Sequence, residues 1–233
     1  MFLVSDIMSD KTDHSSSPLH VSPQPVPKIG RSERTRAAIL NAALDFTWSR
    51  PFREMTISLL MAPTGVSRSA FYQYFKDLHE VMETLLDMLK DEIFIAAQPW
   101  LAGVGDPIAL TQETLAGLVD VGHQRGPFLR AITDAASNDA RLEKAWVQFL
   151  AGFDDAASAR IEADQKQGLI QDFEARPVAF ALNRLDAYTL LQAFGRRPRM
   201  QPGPVREALA RVWISTLYGA EWIGKQPSDL VRR

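Results

Sequence analysis

The chain contains no cysteine, which excludes disulfide stapling, thiol redox chemistry and zinc sites built on Cys. Histidine is scarce as well: His14, His20, His79 and His123 are the full set. His79-Glu80 is followed by Glu83 rather than by a second His at HExxH spacing, so no zincin site forms. Neither a Walker A loop nor a GxSxG nucleophile elbow is present, and no catalytic, metal-binding or cofactor-binding residues are predicted. No apolar run approaches the roughly 18 residues of a membrane span. The opening MFLVSDIM lacks a basic region and is broken by Asp6, so it does not read as a signal peptide. The expected setting is cytoplasmic, with no membrane partner. A basic excess is missing too. The net charge of -2 and pI near 6.1 argue against general nucleic-acid binding, so any contact with DNA must come from a local patch.

What is present is a helical pattern. At 233 residues and 46% hydrophobic, the chain is long enough for one large or two modest domains with real cores. Residues 1–29 are rich in Ser, Pro and His and read as a disordered tail. From Ser32, a predicted N-cap, Ile39, Ala43 and Phe46 repeat at helical spacing until Pro51. A stripe through Met82, Leu85, Leu86, Leu89, Ile93, Ala97 and Trp100 predicts one long helix ending before Gly103. Further helices are predicted over 107–122, 127–137, 139–167, 177–195 and 204–219, with Gly or Pro at almost every boundary. No segment alternates with period two. The fold class is therefore all-α, with about nine helices by this pattern.

Residues Thr56–Phe75, TISLLMAPTGVSRSAFYQYF, carry the functional signal. Thr56 can cap a first helix, Gly65 permits a sharp reversal, and Ser67 can cap a second short helix. That is the helix-turn-helix plan, in which the second helix enters the DNA major groove by its N-terminal end. Between Lys28 and Glu80 eight basic side chains face five acidic ones, a local positive excess within an acidic chain. Phe71 and Phe75 are spaced to pack inward. Asp154 and Asp155, neighbours on one helix, read as surface polarity.

The three-part pattern RSERTRAAILNAALDF, MTISLL and TGVSRSAFYQYF resembles the TetR/AcrR family of transcriptional regulators. The segments RAITDAASNDARLEKAW, ALNRLDAYTLLQAF and VREALARVWISTLYG resemble the EthR branch of that family in the C-terminal half. After the disordered tail at 1–29, the resemblance implies a DNA-binding unit over 30–77 and a ligand-binding and dimerisation bundle over 78–222, leaving a tail at 223–233. It places Ser67, Arg68, Ser69 and Gln73 on the exposed part of the recognition helix, with Arg68 suited to bidentate contact with guanine. Tyr72 and Tyr74 match positions set against the phosphate backbone, and Thr56 could hold a phosphate at a helix start. Arg31 and Arg34 resemble a basic arm laid along the groove. Two departures stand out. Pro63 breaks the segment before the turn, and Leu78-His79 stands where a Lys is common.

In the C-terminal half Trp146, Phe149 and Phe153 share one face of a helix. By resemblance Leu118, Trp146, Phe153 and Asn183 line an elongated cavity for an apolar small-molecule effector, while Asp186 replaces an expected neutral amide. Asn183 also lies in an apolar run, where a buried amide needs a partner. The last two helices, rich in apolar residues such as Val205, Leu209, Val212, Trp213 and Leu217, are expected to form a homodimer interface. The implied function is a ligand-responsive repressor that binds a palindromic double-stranded DNA operator as a homodimer. The alternative is a helical small-molecule-binding protein with weak or lost operator recognition.

Overall fold

Capping residues set most helix boundaries. The structure, a computed structural model, describes residues 30–219. The expected tails at 1–29 and 223–233 lie outside the described residues. Among those described there are eight α-helices and no strand: α1 (Arg31–Thr47), α2 (Ile57–Met61), α3 (Arg68–Phe71), α4 (Leu78–Ala102), α5 (Pro107–Ala136), α6 (Ala140–Lys166), α7 (Ala175–Phe194) and α8 (Pro202–Leu217). Asp77, Asp106 and Asp139 cap α4, α5 and α6 by accepting bonds from backbone N–H groups that the first turn leaves unpaired. The cap of α1 is Gly30 rather than Ser32: the Glu33 carboxylate accepts from the Gly30 N–H at 3.1 Å, and the helix starts two residues earlier than predicted.

The segments expected as separate helices over 107–122 and 127–137 are one continuous helix, α5. Pro127 removes the N–H that would pair with the carbonyl of His123, which ordinarily breaks a helix. Here Arg199, from the α7–α8 connection, donates its Nη1–H to that carbonyl and repairs the loss. Pro99 in α4 is accommodated in a related way. The N–H of Trp100 turns outward to the Thr114 hydroxyl of α5 at 3.1 Å, while the carbonyl freed at Ile95 lies on an exposed residue within reach of water.

The N-terminal unit packs α1, α2 and α3 around Ile39, Leu40, Ala43, Leu60, Phe71 and Phe75, all buried. The body is a bundle in which α5 touches α4, α6, α7 and α8, and α4 and α7 each touch α6. Helix α5 approaches α7 closely at Gly122 and Gly126. A methyl group at Gly126 would lie 2.5 Å from the backbone carbonyl oxygen of Phe194. The two units meet where Arg130 of α5 donates to the Thr47 carbonyl at 2.9 Å, and where Arg197 and Arg199 lie over the Trp48 ring. Among the described residues no helix is long and apolar enough to cross a membrane.

The α5–α7 contact yields a stability test. Gly126→Ala improves helix propensity by roughly 1 kcal/mol. It also forces rigid backbone apart, and overpacking of this kind typically costs about 1–3 kcal/mol or more. Net destabilisation is expected in urea denaturation; a variant as stable as the parent would show that the close approach is relaxed in solution.

Candidate DNA interface and ligand cavity

The helix-turn-helix is built from short pieces. Helix α2 spans five residues and ends at Met61; Pro63 then shapes a 3-10 turn over Ala62–Thr64, and Gly65 reverses the chain at φ 67°. The Thr56 hydroxyl accepts from the Leu59 N–H at 3.2 Å, and the Ser67 hydroxyl accepts from the Ala70 N–H at 3.2 Å. Each hydroxyl keeps its own hydrogen to donate; the Ser67 oxygen also lies 3.0 Å from that of Ser69. Helix α3 is four residues long, so Gln73 and Tyr74 lie beyond it, in a turn held by Gln73 N–H to Ala70 and Tyr74 N–H to Phe71. The expectation that Gln73 sits on the recognition helix itself is corrected on this point, because Tyr72 already closes the helix as its C-cap.

Exposure sorts the predicted DNA residues. Arg31, Arg34, Thr56, Ser67, Arg68, Ser69, Tyr72 and Gln73 are exposed, whereas Tyr74 is half-buried against the N-terminal core. Arg31, Arg34 and Arg68 make no ion pair among the described residues. Three acids at the junction with the body are engaged. Arg141 of α6 binds Asp77 at 2.8 Å and grips Glu83 with bonds of 2.7 and 2.6 Å, and the Glu80 carboxylate takes the Lys76 N–H at 2.6 Å. The positive side chains of the N-terminal unit are therefore left facing outward. At the same junction His79 meets the Asp139 carboxylate at 2.6 Å and packs edge-on against Phe52. That hydrogen bond, with the Leu142 N–H, holds the Asp139 carboxyl below its usual range. His79, where a Lys is common by resemblance, thus ties the start of α4 to the cap of α6.

In the body, the predicted residues Leu118, Trp146, Phe149, Phe153, Asn183 and Asp186 all line one cavity of about 90 Å³. Its aromatic wall is continuous: Trp146 stacks on Phe149 at 5.2 Å, Phe149 meets Phe153 edge-on at 5.0 Å, and Phe94 lies 4.8 Å from Phe153. Trp100 and Trp213 form an edge-to-face pair at 5.4 Å on the same lining. The spacing pattern did not single out Phe94, Thr114 or the Trp pair as lining residues, because they meet only after α4, α5 and α8 are packed.

Asn183 has a protein partner. Its amide donates to Asp154 Oδ1 at 2.9 Å, and Arg184 closes on both oxygens of the same carboxylate at 3.0 Å each. Asp154 is buried, so reading it as surface polarity is corrected: its charge is needed to satisfy Asn183 and Arg184 away from water. Asp155 is the exposed neighbour and pairs with Arg176. A second buried group closes the far end of the bundle. Tyr218 donates to Asp164 at 2.9 Å, receives the Trp100 indole N–H at 2.8 Å, and Arg160 pairs with Asp164. Burial pushes the Tyr218 phenol up.

Asp186 differs from both. Its Oδ1 accepts the Trp213 indole N–H at 3.0 Å, and no cation reaches it among the described residues. Burial raises its carboxyl to about 8, against the opposing pull of the Trp213 bond. The folded-state value exceeds the unfolded one, so folding takes up a proton between those two values. Asp186 therefore erodes stability as pH rises from about 4 to about 8, and not below that window.

The expected dimer surface is corrected in its particulars. Val205, Leu209, Trp213 and Leu217 are all buried within the chain's own core, because α8 turns that face onto α5 and α7. The exposed apolar residues are Phe180, Leu185 and Tyr188 on α7 and Val212 on α8.

A family model described as the C-terminal domain of the transcriptional regulator EthR matches residues 111–219. The chain is 25% identical over 186 residues to the HTH-type transcriptional regulator EthR of Mycobacterium tuberculosis, covering 78% of this chain and 86% of that protein. Among solved structures, a protein described as a TetR-family transcriptional regulator from Syntrophomonas wolfei superposes with a TM-score of 0.70 at 18% identity, covering 79% of this chain and 95% of that one. AibR in complex with isovaleryl coenzyme A and operator DNA superposes with a TM-score of 0.62 at 11% identity, covering 79% and 98%. EthR and the Syntrophomonas wolfei protein are both described as transcriptional regulators.

The buried acid provides a direct test. Asp186→Asn should keep the Trp213 hydrogen bond and remove the titration. Melting temperatures across pH 4 to 8 should then fall less with rising pH than those of the parent; parallel curves would show that Asp186 does not carry the titration.

Proposed function

Since the chain is a TetR-family transcriptional regulator with an EthR-like C-terminal half, we propose that it is a ligand-responsive repressor, acting in the cytoplasm as a homodimer on a palindromic operator. One observation carries the reading: a single chain holds an outward-facing basic helix-turn-helix and an apolar cavity, and one helix joins the two. Helix α4 begins directly after the turn following α3, and farther along it Ile93, Ala97 and Trp100 line the cavity. Movement of that wall on ligand binding is transmitted to the DNA-binding unit through α4, whose first turns are tied to α6 by the His79–Asp139 and Arg141–Asp77–Glu83 contacts.

Two copies joined through the exposed apolar residues of α7 and α8 present two α3 helices to half-sites about 34 Å apart. Arg68 reads a base edge, Ser67, Ser69 and Gln73 contact base edges or backbone, and Thr56, Tyr72 and Tyr74 hold phosphates. Arg31 and Arg34 extend the contact along the groove. An apolar effector in the cavity releases the operator provided it binds the non-DNA-binding arrangement more tightly, and by linkage the operator lowers effector affinity by the same factor. The shortness of α2, truncated by Pro63, favours the second reading, a small-molecule-binding protein with weak operator recognition.

Fluorescence anisotropy with duplexes tiled across the DNA flanking the gene separates the two. A repressor picks out one palindromic segment over random duplex at fixed salt. Equal, weak binding to all duplexes would favour the second reading. Arg68→Ala should cost about 1–3 kcal/mol at one base pair of each half-site and relax preference there. Tyr74→Phe should instead weaken all sequences alike. For the dimer, Tyr188→Glu places a charge on an exposed apolar surface without touching the core. Sedimentation velocity should show monomers and the tight operator complex should be lost. A wild-type protein that sediments as a monomer at micromolar concentration would sink the homodimer.

A further inference from the structure

We propose that the effector is an organic cation, a short alkyl- or arylammonium ion whose nitrogen pairs with the Asp186 carboxylate while its hydrocarbon part lies against the aromatic wall. The proposal rests on the cavity being the effector site and specifies the chemistry that the cavity selects. Asp186 is the one ionisable residue among those lining it. Its Oδ1 is taken by the Trp213 indole, and its Oδ2 accepts no hydrogen bond among the described residues. The lining residues contributed by α4, α5, α6 and α8 include no cationic side chain.

Three arginines around the wall are committed elsewhere, and Lys90 of α4 packs against Gly152 on α6 without joining the lining. Arg184 holds Asp154, Arg160 holds Asp164, and Arg125 holds Glu92. Asn183, the other polar residue α7 contributes to the lining, spends an amide hydrogen on Asp154. Through Asn183 the lining connects to Asp154 with Arg184, and through Trp100 to Tyr218 with Asp164 and Arg160. Both carboxylates have their own partners; Asp186 has none.

Two physical arguments turn this into a preference for a cation. First, an amide at position 186 would accept the indole N–H equally well and would never titrate. What the acid adds is the capacity to become an anion, and burial suppresses that until a counter-charge arrives. Second, the surrounding lining is aromatic. Trp100, Trp213, Phe94, Phe149 and Phe153 offer ring faces and edges around a desolvated space, where attraction between a cation and a ring is strongest. A neutral ligand of the same shape gains the apolar contact but neither charge interaction. A carboxylate ligand gives up its hydration and finds no cationic side chain in the lining to replace it.

The cavity bounds ligand size. At about 90 Å³ it has room for on the order of six water-sized groups. Hexylamine, hexan-1-ol and hexanoate are therefore matched probes of one chain length and three head-group charges. Because Asp186 is protonated in the empty cavity near neutral pH, binding the hexylammonium ion at pH 6–7 must displace close to one proton from it to the buffer.

Isothermal titration calorimetry on the full-length protein, in buffers of different ionisation enthalpy, reads affinity and proton release together. Hexylamine is expected to bind at least about tenfold more tightly than hexan-1-ol, the equivalent of 1.4 kcal/mol, with hexanoate the weakest. Its heat should vary with the buffer, whereas that of hexan-1-ol should not. Asp186→Asn should bring hexylamine down to the level of hexan-1-ol and abolish proton release, while hexan-1-ol binding shows that the cavity is intact. Asp186→Glu, which keeps the carboxyl, should retain the amine preference. Hexan-1-ol or hexanoate binding as tightly as hexylamine would overturn the proposal, as would an amine preference that survives Asp186→Asn, the mark of surface charge alone. If none of the three binds either protein, the cavity is no effector site, and that broader reading fails along with this one.

Discussion

Helix α5 lies against α7 at Gly122 and Gly126 because neither carries a Cβ, and at Gly126 the gap to the Phe194 backbone is too small for one. Much else follows from where this contact sets α7. It holds Asn183 and Asp186 on the lining opposite the aromatic face of α6. It brings the start of the α7–α8 connection to the middle of α5, where Arg199 replaces the hydrogen bond that Pro127 cannot make. The same arginine, with Arg197, covers the Trp48 ring at the end of α1. The α5–α7 contact therefore locates the cavity and one seam between the body and the DNA-binding unit.

Three buried aspartates on α6 and α7 show how environment assigns roles to one residue type. Asp154 is clamped by Arg184 and Asn183, which holds α6 and α7 in register beside the cavity. Asp164 is held by Arg160 and Tyr218 and closes the end of the bundle through Trp100. Breaking either set by removing one partner strands a buried charge, which is strongly destabilising. Asp186 is left with an indole N–H alone and rests protonated near neutral pH. It retains the chemical freedom that the other two have given up.

The N-terminal unit shows the opposite arrangement. Asp77 and Glu83 are held by Arg141, and Glu33 and Glu80 by backbone N–H groups, while Arg31, Arg34 and Arg68 stay exposed. In an acidic chain this produces a basic surface without a basic protein, and surface charge of this kind is what a phosphate backbone recognises. The contacts that neutralise the acids are also those that fasten α4 to α6, so electrostatic shaping of the DNA-facing surface and mechanical coupling to the body share the same side chains.

Local signals were legible in the chain. The helical periods of α1, α4 and α6, the Gly65 turn, the caps at Thr56 and Ser67, and the inward packing of Phe71 and Phe75 depend on neighbours a few residues away, and together they establish an all-helical chain with a helix-turn-helix near its start. The aromatic face of α6 was visible for the same reason, whereas the acid at position 186 stood out only by resemblance to the EthR branch. What no local pattern contains is the partner across the bundle. Pro127 reads as a break until Arg199 arrives from 72 residues later in the chain to take the carbonyl it frees. Asp154 reads as surface until α7 covers it. The apolar residues of α8 look like a surplus until α5 and α7 bury them. Tertiary structure alone decided which polar groups are satisfied and which face is left open, because a hydrogen bond or a buried contact needs two groups that the chain brings together only on folding.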